Sequence, residues 1–427
     1  MLEKVSLFGS KRDFFLFILA CGFILSYSLL IEFNNYTNLT KFDSQLIQAT
    51  VLKQYTKSKI RKNGKMKTYQ VLKLKSEKGF SFYTTAKKSF PESKSQKISL
   101  EIWAGKITFY EYMSSFFVFS KITDNNAQYI PTLKEELNSY LATEHENNNI
   151  TKVYQALYTA SPLSRELQAI FSTLGVSHLL AISGFHLGVL STLLFFLFKI
   201  PYTFFQNRFF PYRSYKLDSF IVISVLLLGY LLFLDSPPSL LRAYVMLVIG
   251  FILYDRGFKI VSMWTLLLTA IIILSFSPRL FFSLGFWLSV SGVFYIFLFL
   301  IHFKHLNKVW QFILVPFWVY LMMLPLSLFI FENFSVYHPL SILWTSIFTL
   351  FYPLSIVLHL IGFANLLDNA LVWILELNAD ARVVGLSWEI ITLFITLSFL
   401  SIWKKSFLYV LLSFALFIFI YAIYNVT

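Results

Sequence analysis

Long apolar runs recur along this chain, and they constrain its fold more than any other feature. The first extends from Phe14 to Ile31, and from His178 onward such runs dominate, with short polar breaks between them. A helix of about 20 apolar residues is long enough to cross the hydrocarbon core of a bilayer. Hydrophobic residues make up 57% of the chain and charged residues 14%, whereas soluble proteins carry roughly 25% charge. The pattern predicts an α-helical polytopic membrane protein with about ten transmembrane segments.

The N-terminal part divides into a membrane helix and an external domain. Residues 1–31 are predicted to form an uncleaved transmembrane helix, because basic residues precede the apolar run and no small-residue cleavage site follows it. Residues 32–125 show period-2 alternation rich in β-branched and aromatic residues, which predicts a small all-β domain. Its expected strands are Gln45–Val51, Thr68–Leu74, Gly79–Thr84, Ile98–Trp103 and Ile107–Tyr112.

The remainder divides into an amphipathic region and a membrane domain. Residues 126–177 are polar to amphipathic, and apolar positions recur at near-helical spacing from Thr151 to Leu174. Helices at the outer membrane surface are expected there, with Pro162 starting a second one. Residues 178–427 are predicted to form the main transmembrane domain. The single cysteine, Cys21, excludes an intramolecular disulfide framework and a multi-thiolate metal site.

The distribution of Lys and Arg predicts the orientation, because short positive loops stay cytoplasmic. One alternate set of loops holds a single basic residue, Arg279. The other set holds Lys199, Arg208, Arg213, Lys216, Arg256, Lys259, Lys304 and Lys308. We therefore expect a cytoplasmic N-terminus and an external or periplasmic position for residues 32–177. Simple parity would put Lys404 and Lys405 outside, so the topology after residue 364 stays open.

The external domain is strongly basic. Residues 32–125 contain 17 basic and 7 acidic residues, a net charge of 17 − 7 = +10. Basic residues and aromatics that cluster around the Asn63-Gly64 turn are typical of sequence-tolerant single-strand binders. The candidate nucleic-acid contacts are Lys53, Lys59, Arg61, Lys62, Lys65, Lys67, Tyr69 and Lys73, with Tyr55, Phe80, Phe82 and Tyr83 nearby. Alternatively, the aromatics form a barrel core and the lysines a solvated edge.

The most unusual local sequence starts the membrane domain and contains His178, Ser183, Gly184, His186 and Gly188. Polar groups within hydrocarbon are costly and are usually functional or paired. Unless the Ser183-Gly184 step breaks the helix, a shared metal ion does not fit, because eight residues of helix separate the two imidazoles by about 12 Å. A Ser183–His186 nucleophile pair lacks an acidic orienting residue in that segment. Packing of another helix against the two glycines, combined with a polar pore lining, is the favoured interpretation.

A second polar feature lies between two later segments. Asp235 precedes Pro237 and Pro238, and Arg242 follows about one turn into the next helix. A buried arginine requires a carboxylate, a phosphate or water. Arg242 either pairs with Asp235 or snorkels to the interface, or else it forms a cationic constriction for a phosphate-bearing chain.

The segment His178-Leu-Leu-Ala-Ile-Ser-Gly-Phe-His186 resembles the signature HLLAISGxH of the ComEC competence proteins. Three further blocks resemble family motifs in the same order: Tyr230 to Arg242, Ser277 to Ser291, and Leu324-Pro325 to Pro339-Leu340. The external β-domain also resembles the family's OB-like module. Trp287 departs from the pattern, since the family often has Gln there.

The resemblance implies an inner-membrane channel that carries single-stranded transforming DNA into the cytoplasm during natural competence. It implies a periplasmic DNA receptor and a cytoplasmic DNA-translocating ATPase as partners, besides membrane lipids and, as an option, further copies of the chain. On this interpretation His178, Ser183, Gly184, His186, Gly188, Asp235 and Arg242 belong to the DNA path. The metallo-β-lactamase-like nuclease domain of longer members has no counterpart before Thr427, so no nuclease activity is expected. No catalytic residue, metal or cofactor is expected either. The rival functions are a transporter or flippase for another anionic substrate and an intramembrane hydrolase.

Overall fold

The computed structural model describes residues 10–60, 66–91, 93, 96–124, 133–180, 182–257, 261–377 and 381–426. Within these ranges, the side chains of residues 53, 58–60, 66, 67, 124 and 238 are not described. The chain forms two compact units. The β unit comprises Ser10–Thr132 and Ile272–Ser283, and the helical unit comprises Leu133–Ile271 and Leu284–Thr427.

The β unit consists of a long helix followed by a small sheet. Its elements are α1 Lys11–Thr40, β1 Gln45–Ile60, β2 Met66–Ser76, β3 Ser81–Ala86, β4 Lys97–Trp103, α2 Phe109–Ser114, β5 Phe116–Phe117 and β6 Phe119–Asp124. Four of the five predicted strands are present as β1 to β4, with β1 and β2 longer than expected.

The sheet has the strand order β5-β3-β2-β1-β4-β6. Its two terminal strands, β5 and β6, are separated by Val118 alone, and the Val118 N–H donates to the Tyr83 carbonyl at 2.8 Å. The hydroxyls of Thr84 and Ser120 also lie 2.7 Å apart, which links β3 to β6. Because one extended segment pairs in parallel with β3 and antiparallel with β4, the sheet closes on itself.

Alternation along the strands gives the closed sheet an apolar interior. Leu72, Leu74, Phe82, Leu100 and Ile102 are fully buried, and each is separated from the next inward residue of its strand by two positions, as a pleated strand requires. The intervening residues point outward. Leu39, near the end of α1, also belongs to this core.

The fifth predicted strand, Ile107–Tyr112, is wrong, because the segment enters helix α2. The Thr108 hydroxyl accepts from the Glu111 backbone N–H, and the Glu111 carboxylate accepts from the Thr108 N–H at 2.8 Å. This capping box satisfies N–H groups that the first helical turn would leave without partners. The local caps therefore outweigh the alternating hydrophobic pattern.

A charged clamp joins three segments of the β unit. The Arg279 guanidinium donates to both carboxylate oxygens of Glu32, at 2.8 and 2.7 Å, and lies 4.5 Å from the ring centre of Tyr112. Burial raises the pKa of the Tyr112 hydroxyl to about 12, with Arg279 opposing the rise and Glu32 adding to it. Arg279, the one basic residue in its set of loops, thus forms an ion pair with Glu32.

The helical unit contains the other elements, with the 3-10 turn Pro278–Phe282 and the end of α10 assigned to the β unit. They are α3 Leu133–Glu144, α4 Asn148–Thr159, α5 Arg165–Thr173, α6 Ser177–Leu180, α7 Gly184–Phe209, α8 Tyr215–Phe233, α9 Pro238–Asp255, α10 Met263–Phe276, α11 Leu284–His302, α12 Lys308–Phe331, β7 Asn333–Phe334, α13 Ser341–Leu360, α14 Asp368–Leu375, β8 Arg382–Val383, α15 Trp388–Leu400 and α16 Lys405–Tyr424. Further 3-10 turns are His338–Leu340 and Ala364–Leu367.

The described part of the amphipathic region contains helices α3, α4 and α5, and the helix expected to start at Pro162 starts later. Helix α4 ends where Ala160 adopts a φ of 54°. Helix α5 begins after Ser164, whose hydroxyl accepts from the Leu167 N–H, so Pro162 lies in the break and does not start the helix. The serine cap decides the boundary.

Among the described residues, seven helices are long and apolar enough to cross a membrane: Lys11–Thr40, Gly184–Phe209, Tyr215–Phe233, Leu284–His302, Lys308–Phe331, His338–Leu360 and Lys405–Tyr424. Three shorter apolar helices are Met263–Phe276, Ala364–Leu375 and Trp388–Leu400. The protein is therefore a mostly helical membrane protein with a small β-domain near its N-terminus.

Two contacts order the C-terminal part of the helical unit. Strands β7 and β8 pair, so Asn333 lies opposite Val383. After α13 and α14 the chain therefore returns to the end of α12. In addition, the ring Nε2 of His302, at the end of α11, lies 2.8 Å from the Ser401 carbonyl oxygen. The turn between α15 and α16 therefore lies beside the turn between α11 and α12.

Candidate functional site

The signature segment turns sharply at Ser183, where α7 begins. The Ser183 hydroxyl accepts from the Phe185 N–H at 3.3 Å, and the His186 Nδ1 accepts from the Ser183 N–H at 3.2 Å. The pair forms a capping box in which histidine takes the place of the usual Glu or Gln. The Ser183-Gly184 step therefore breaks the helix, because α6 ends at Leu180 and α7 begins at Gly184. The separation of about 12 Å expected for one continuous helix does not apply to His178 and His186.

His186 lies in an aromatic setting on the first turn of α7. Its side chain is fully buried, and its ring contacts Phe348 and Tyr352 of α13 edge-on, with centroid distances of 5.3 and 4.8 Å. Since Nδ1 accepts the Ser183 N–H, Nε2 carries the proton in the neutral ring. That N–H is buried and has no hydrogen-bond partner among the described residues.

The same cap accounts for the closeness of Ser183 and His186. The Ser183 hydroxyl oxygen lies 3.3 Å from His186 Nδ1, a long contact for proton transfer. Within the described part of the chain no carboxylate orients the ring through Nε2. The arrangement therefore matches a helix cap better than an activated nucleophile.

The turn at Ser183, hereafter the signature turn, packs against the start of α9. The Ser239 hydroxyl donates to the Ile182 carbonyl at 2.7 Å. A methyl group added at Gly184 would lie 3.1 Å from the Ala243 Cβ, whereas one at Gly188 would meet nothing within 4 Å. Gly184 thus permits a close helix approach, and the packing role proposed for Gly188 has no partner among the described residues.

Arg242 follows on the same helix, and its side chain is buried with 5% exposure. The guanidinium lies 5.7 Å from the ring centre of Phe286 on α11. Its Nε and Nη1 atoms have no hydrogen-bond partner among the described residues. The expected alternative, an ion pair with Asp235, is wrong: Asp235 is largely exposed and accepts from Lys134 at 3.3 Å. Arg242 is therefore a buried cation with donors still available.

His178 and His186 approach the same neighbour, although they belong to different helices. His178 Nε2 lies 3.4 Å from the Thr345 hydroxyl on α13, and Thr345 precedes Phe348 by about one helical turn. His178 is exposed and His186 is buried. Both imidazoles thus contact α13, which packs against the signature turn.

Sequence reasoning did not identify the aromatic partners of this site. Phe286, Phe348 and Tyr352 lie within apolar runs whose composition does not distinguish them from lipid-facing residues. Only the packing of α7, α9, α11 and α13 brings them to His186 and Arg242. No spacing rule within a single helix encodes that meeting.

The β unit presents a basic and aromatic outer face. Lys73 of β2 lies opposite Tyr83 of β3, with its ammonium 5.6 Å from the ring centre. Burial lowers the pKa of the Lys73 ammonium. Tyr69 lies opposite Lys57 of β1, so alternation puts all four residues on the side away from the core.

The other candidate contacts of this face fall largely beyond the described residues. Arg61, Lys62 and Lys65 lie outside them, and for Lys53, Lys59 and Lys67 only the backbone is described. The strand register nevertheless pairs Lys53 with Lys73 and Lys59 with Lys67. The aromatic set divides: Phe80 and Phe82 belong to the core, whereas Tyr69 and Tyr83 lie on the outer face.

The fold and these features define a polytopic membrane protein with a basic β-domain and a polar, arginine-containing site among its helices. A family model described as Competence protein matches residues 159–426. The chain belongs to this family, in agreement with its resemblance to the ComEC competence proteins. The matched region contains the signature turn and Arg242. No curated protein and no solved structure matches the chain.

Proposed function

We propose that this protein carries single-stranded DNA across the cytoplasmic membrane during DNA uptake in competence. The β unit receives the strand on the outer side, and the helical unit conducts it inward past the signature turn. Family membership supports the process, and the chemistry of the two sites supports the substrate.

The buried Arg242 carries this proposal. A charge in a low-dielectric site costs several kcal/mol unless a partner offsets it, and this guanidinium has two donor atoms without partners among the described residues. A phosphate can accept from a guanidinium through two parallel hydrogen bonds. A phosphodiester backbone that passes Arg242 would supply such acceptors one after another.

The outer face of the β unit supports the same substrate. Register pairs basic residues across β1 and β2 at two positions, and like charges directly opposite each other destabilise a sheet. A polyanion would relieve that repulsion. We interpret the closed sheet as OB-like, a fold in which the face of strands 2 and 3 binds oligonucleotides. Tyr69 and Tyr83 offer stacking surfaces on those two strands.

The orientation follows from the loops. The turn that contains Ser401 lies beside His302, so Lys404 and Lys405 join Lys304 and Lys308 on one side. We assign that side to the cytoplasm, because positive loops stay inside. The pairing of β7 with β8 then returns the chain to the outer side after α14, which removes the parity conflict near the C-terminus.

The remaining assignments are part of the proposal. The protein lies in the inner membrane with residues 32–177 outside, and it receives DNA from a periplasmic receptor. A cytoplasmic ATPase draws the strand inward, since the sequence has no phosphate-binding loop of its own. We assign it no catalytic step, and no metal or cofactor.

Chromosomal transformation of a strain that lacks this chain tests the proposal. We expect transformation to be lost, and to return with the wild-type chain and with Arg256→Gln, an exposed arginine at the other end of α9. Arg242→Gln should transform roughly ten- to a hundredfold less, as loss of a charge-assisted contact worth about 1.5–3 kcal/mol implies. Unimpaired transformation without the chain would overturn the proposal and favour a transporter of another anionic substrate.

A further inference from the structure

A second polar cluster lies in the helical unit, separate from the signature turn. His145, in the turn between α3 and α4, has its Nδ1 2.9 Å from a carboxylate oxygen of Asp368, the first residue of α14. Its Nε2 lies 3.1 Å from the Nε2 of His359, near the end of α13. The His145 side chain is fully buried, and that of Asp368 is 17% exposed. The cluster joins two helix pairs that are distant in sequence.

The neighbours fix the tautomers of both rings. His359 Nδ1 lies 2.7 Å from the Ser355 carbonyl oxygen, which can only accept, so this nitrogen carries a proton. Tyr158 donates its own proton to the Ser355 hydroxyl at 2.8 Å and thus offers His359 only an acceptor. His145 Nδ1 likewise donates to the Asp368 carboxylate. If both rings were neutral and Asp368 were ionised, two Nε2 lone pairs would face each other at 3.1 Å.

Something electrophilic must therefore lie between the two Nε2 atoms, and the ring orientation distinguishes the candidates. The ring centroids lie 5.2 Å apart, so the nitrogens lie between the rings and point at each other nearly head-on. A metal ion about 2 Å from both nitrogens would require their lone pairs to converge at a point off that line. A hydrogen bond requires the head-on arrangement and tolerates the observed separation.

We propose that His145 and His359 bind one proton between their Nε2 atoms, and that Asp368 balances the resulting positive charge. The proton comes from water and forms an N–H bond with one Nε2, while the other Nε2 accepts the hydrogen bond. On release the proton returns to water through the partly exposed side of Asp368. The cluster is thus a proton-binding latch between the α3–α4 turn and the junction of α13 with α14.

The other groups around the latch are Glu144 of α3 and Tyr154 and Tyr158 of α4. Burial opposes a positive charge on His359, whereas the Ser355 carbonyl and the carboxylates of Asp368 and Glu144 favour it. Burial raises the pKa of both tyrosines well above its ordinary value, so they stay neutral. The Tyr154 ring stacks on His145 at a centroid distance of 4.4 Å and shields the pair from water.

The latch has a defined pH response. With one shared proton the two rings attract each other. Loss of that proton at alkaline pH leaves two facing lone pairs, and uptake of a second proton at acidic pH leaves two facing N–H groups. Both changes weaken the contact, so the latch stabilises the helical unit most at intermediate pH.

The test measures thermal unfolding of the full chain in lipid nanodiscs from acidic to alkaline pH, together with ¹⁵N spectra of labelled histidine. We expect a midpoint that peaks at intermediate pH and, at that pH, a doubly protonated ring whose signal disappears in both His145→Gln and His359→Gln. His359→Gln should flatten the profile, because an amide can donate to His145 Nε2 at every pH. His305→Gln, at an exposed histidine, should keep the wild-type profile.

Three results would overturn the proposal. The first is a wild-type profile that coincides with that of His359→Gln, and the second is a spectrum with both rings neutral at intermediate pH. The third is stoichiometric binding of Zn²⁺ alone that both glutamine variants abolish, because it would assign the two nitrogens to a metal.

Discussion

At the scale of single residues, the buried charge of Arg242 is expected to reduce the stability of the protein. Replacing a buried charge with a hydrophobic residue of similar length is often neutral or stabilising by about 1–4 kcal/mol. We therefore expect Arg242→Met to unfold at the same temperature as the wild type or a higher one, while transformation falls. Scanning calorimetry of the protein in nanodiscs measures the first effect. A large drop in unfolding temperature would mean that Arg242 holds the helices together and has no ligand to bind.

Gly184 offers a prediction about close helix packing. Gly184→Ala should lower the unfolding temperature, because its methyl group would lie 3.1 Å from Ala243 Cβ and the two helices would have to separate. Gly188→Ala, where the added group meets nothing within 4 Å, should be neutral or slightly stabilising through helix propensity. The double variant Gly184→Ala with Ala243→Gly should regain most of the loss. Equal effects at the two glycines would exclude the contact.

At the scale of single elements, helix caps determined whether a segment forms a helix and where that helix begins, which the hydrophobic period alone did not predict. The strands β1 to β4 could be predicted because alternation continues over many residues. Ile107–Tyr112 alternates as well, yet the Thr108–Glu111 capping box makes it a helix. The signature turn behaves similarly, since Ser183 and His186 cap α7, which ends any continuous helix from His178.

The outer face of the sheet leads to a prediction about salt dependence. Each phosphate contact contributes about 0.7 to the slope of log affinity against log salt for single strands. Lys57 of β1 and Lys75 of β2 are exposed, and alternation puts both on the outer face. Lys57→Gln together with Lys75→Gln should weaken binding of a single-stranded oligonucleotide and reduce that slope by about 1.4. The matched pair Lys87→Gln with Lys88→Gln, in the exposed turn after β3, should leave the slope unchanged. An equal reduction in both variants would indicate nonspecific charge attraction.

At the scale of the whole molecule, the sequence predicted the class of fold but not every turn of its path. Apolar length identified a membrane protein and strand alternation a small β-domain, because lipid exposure and burial of strand faces leave strong periodic signals. The return of the chain at β7 and β8 left no such signal in the sequence, because strands of two residues are too short to show a hydrophobic period. The contacts of Arg242 with α11 and of His186 with α13 depend in the same way on tertiary packing.

The proposed orientation is directly testable with cysteine labelling. In a Cys21→Ser background, a cysteine in place of Lys404 should react only when a membrane-impermeant reagent reaches the cytoplasmic side. A cysteine in place of the exposed Val383 should react from outside. Labelling of both positions from one side would contradict the path through β7 and β8.

The fate of labelled DNA tests the central claim most directly. Cells that carry the wild-type chain, Arg242→Gln or Arg256→Gln at matched membrane levels are given duplex DNA, and the labelled strand is followed outside and inside the cytoplasm. We predict that all three take up duplex DNA to the outer side and that only Arg242→Gln holds the label there. Equal entry of the label into the cytoplasm in all three strains would contradict the claim that the strand passes Arg242.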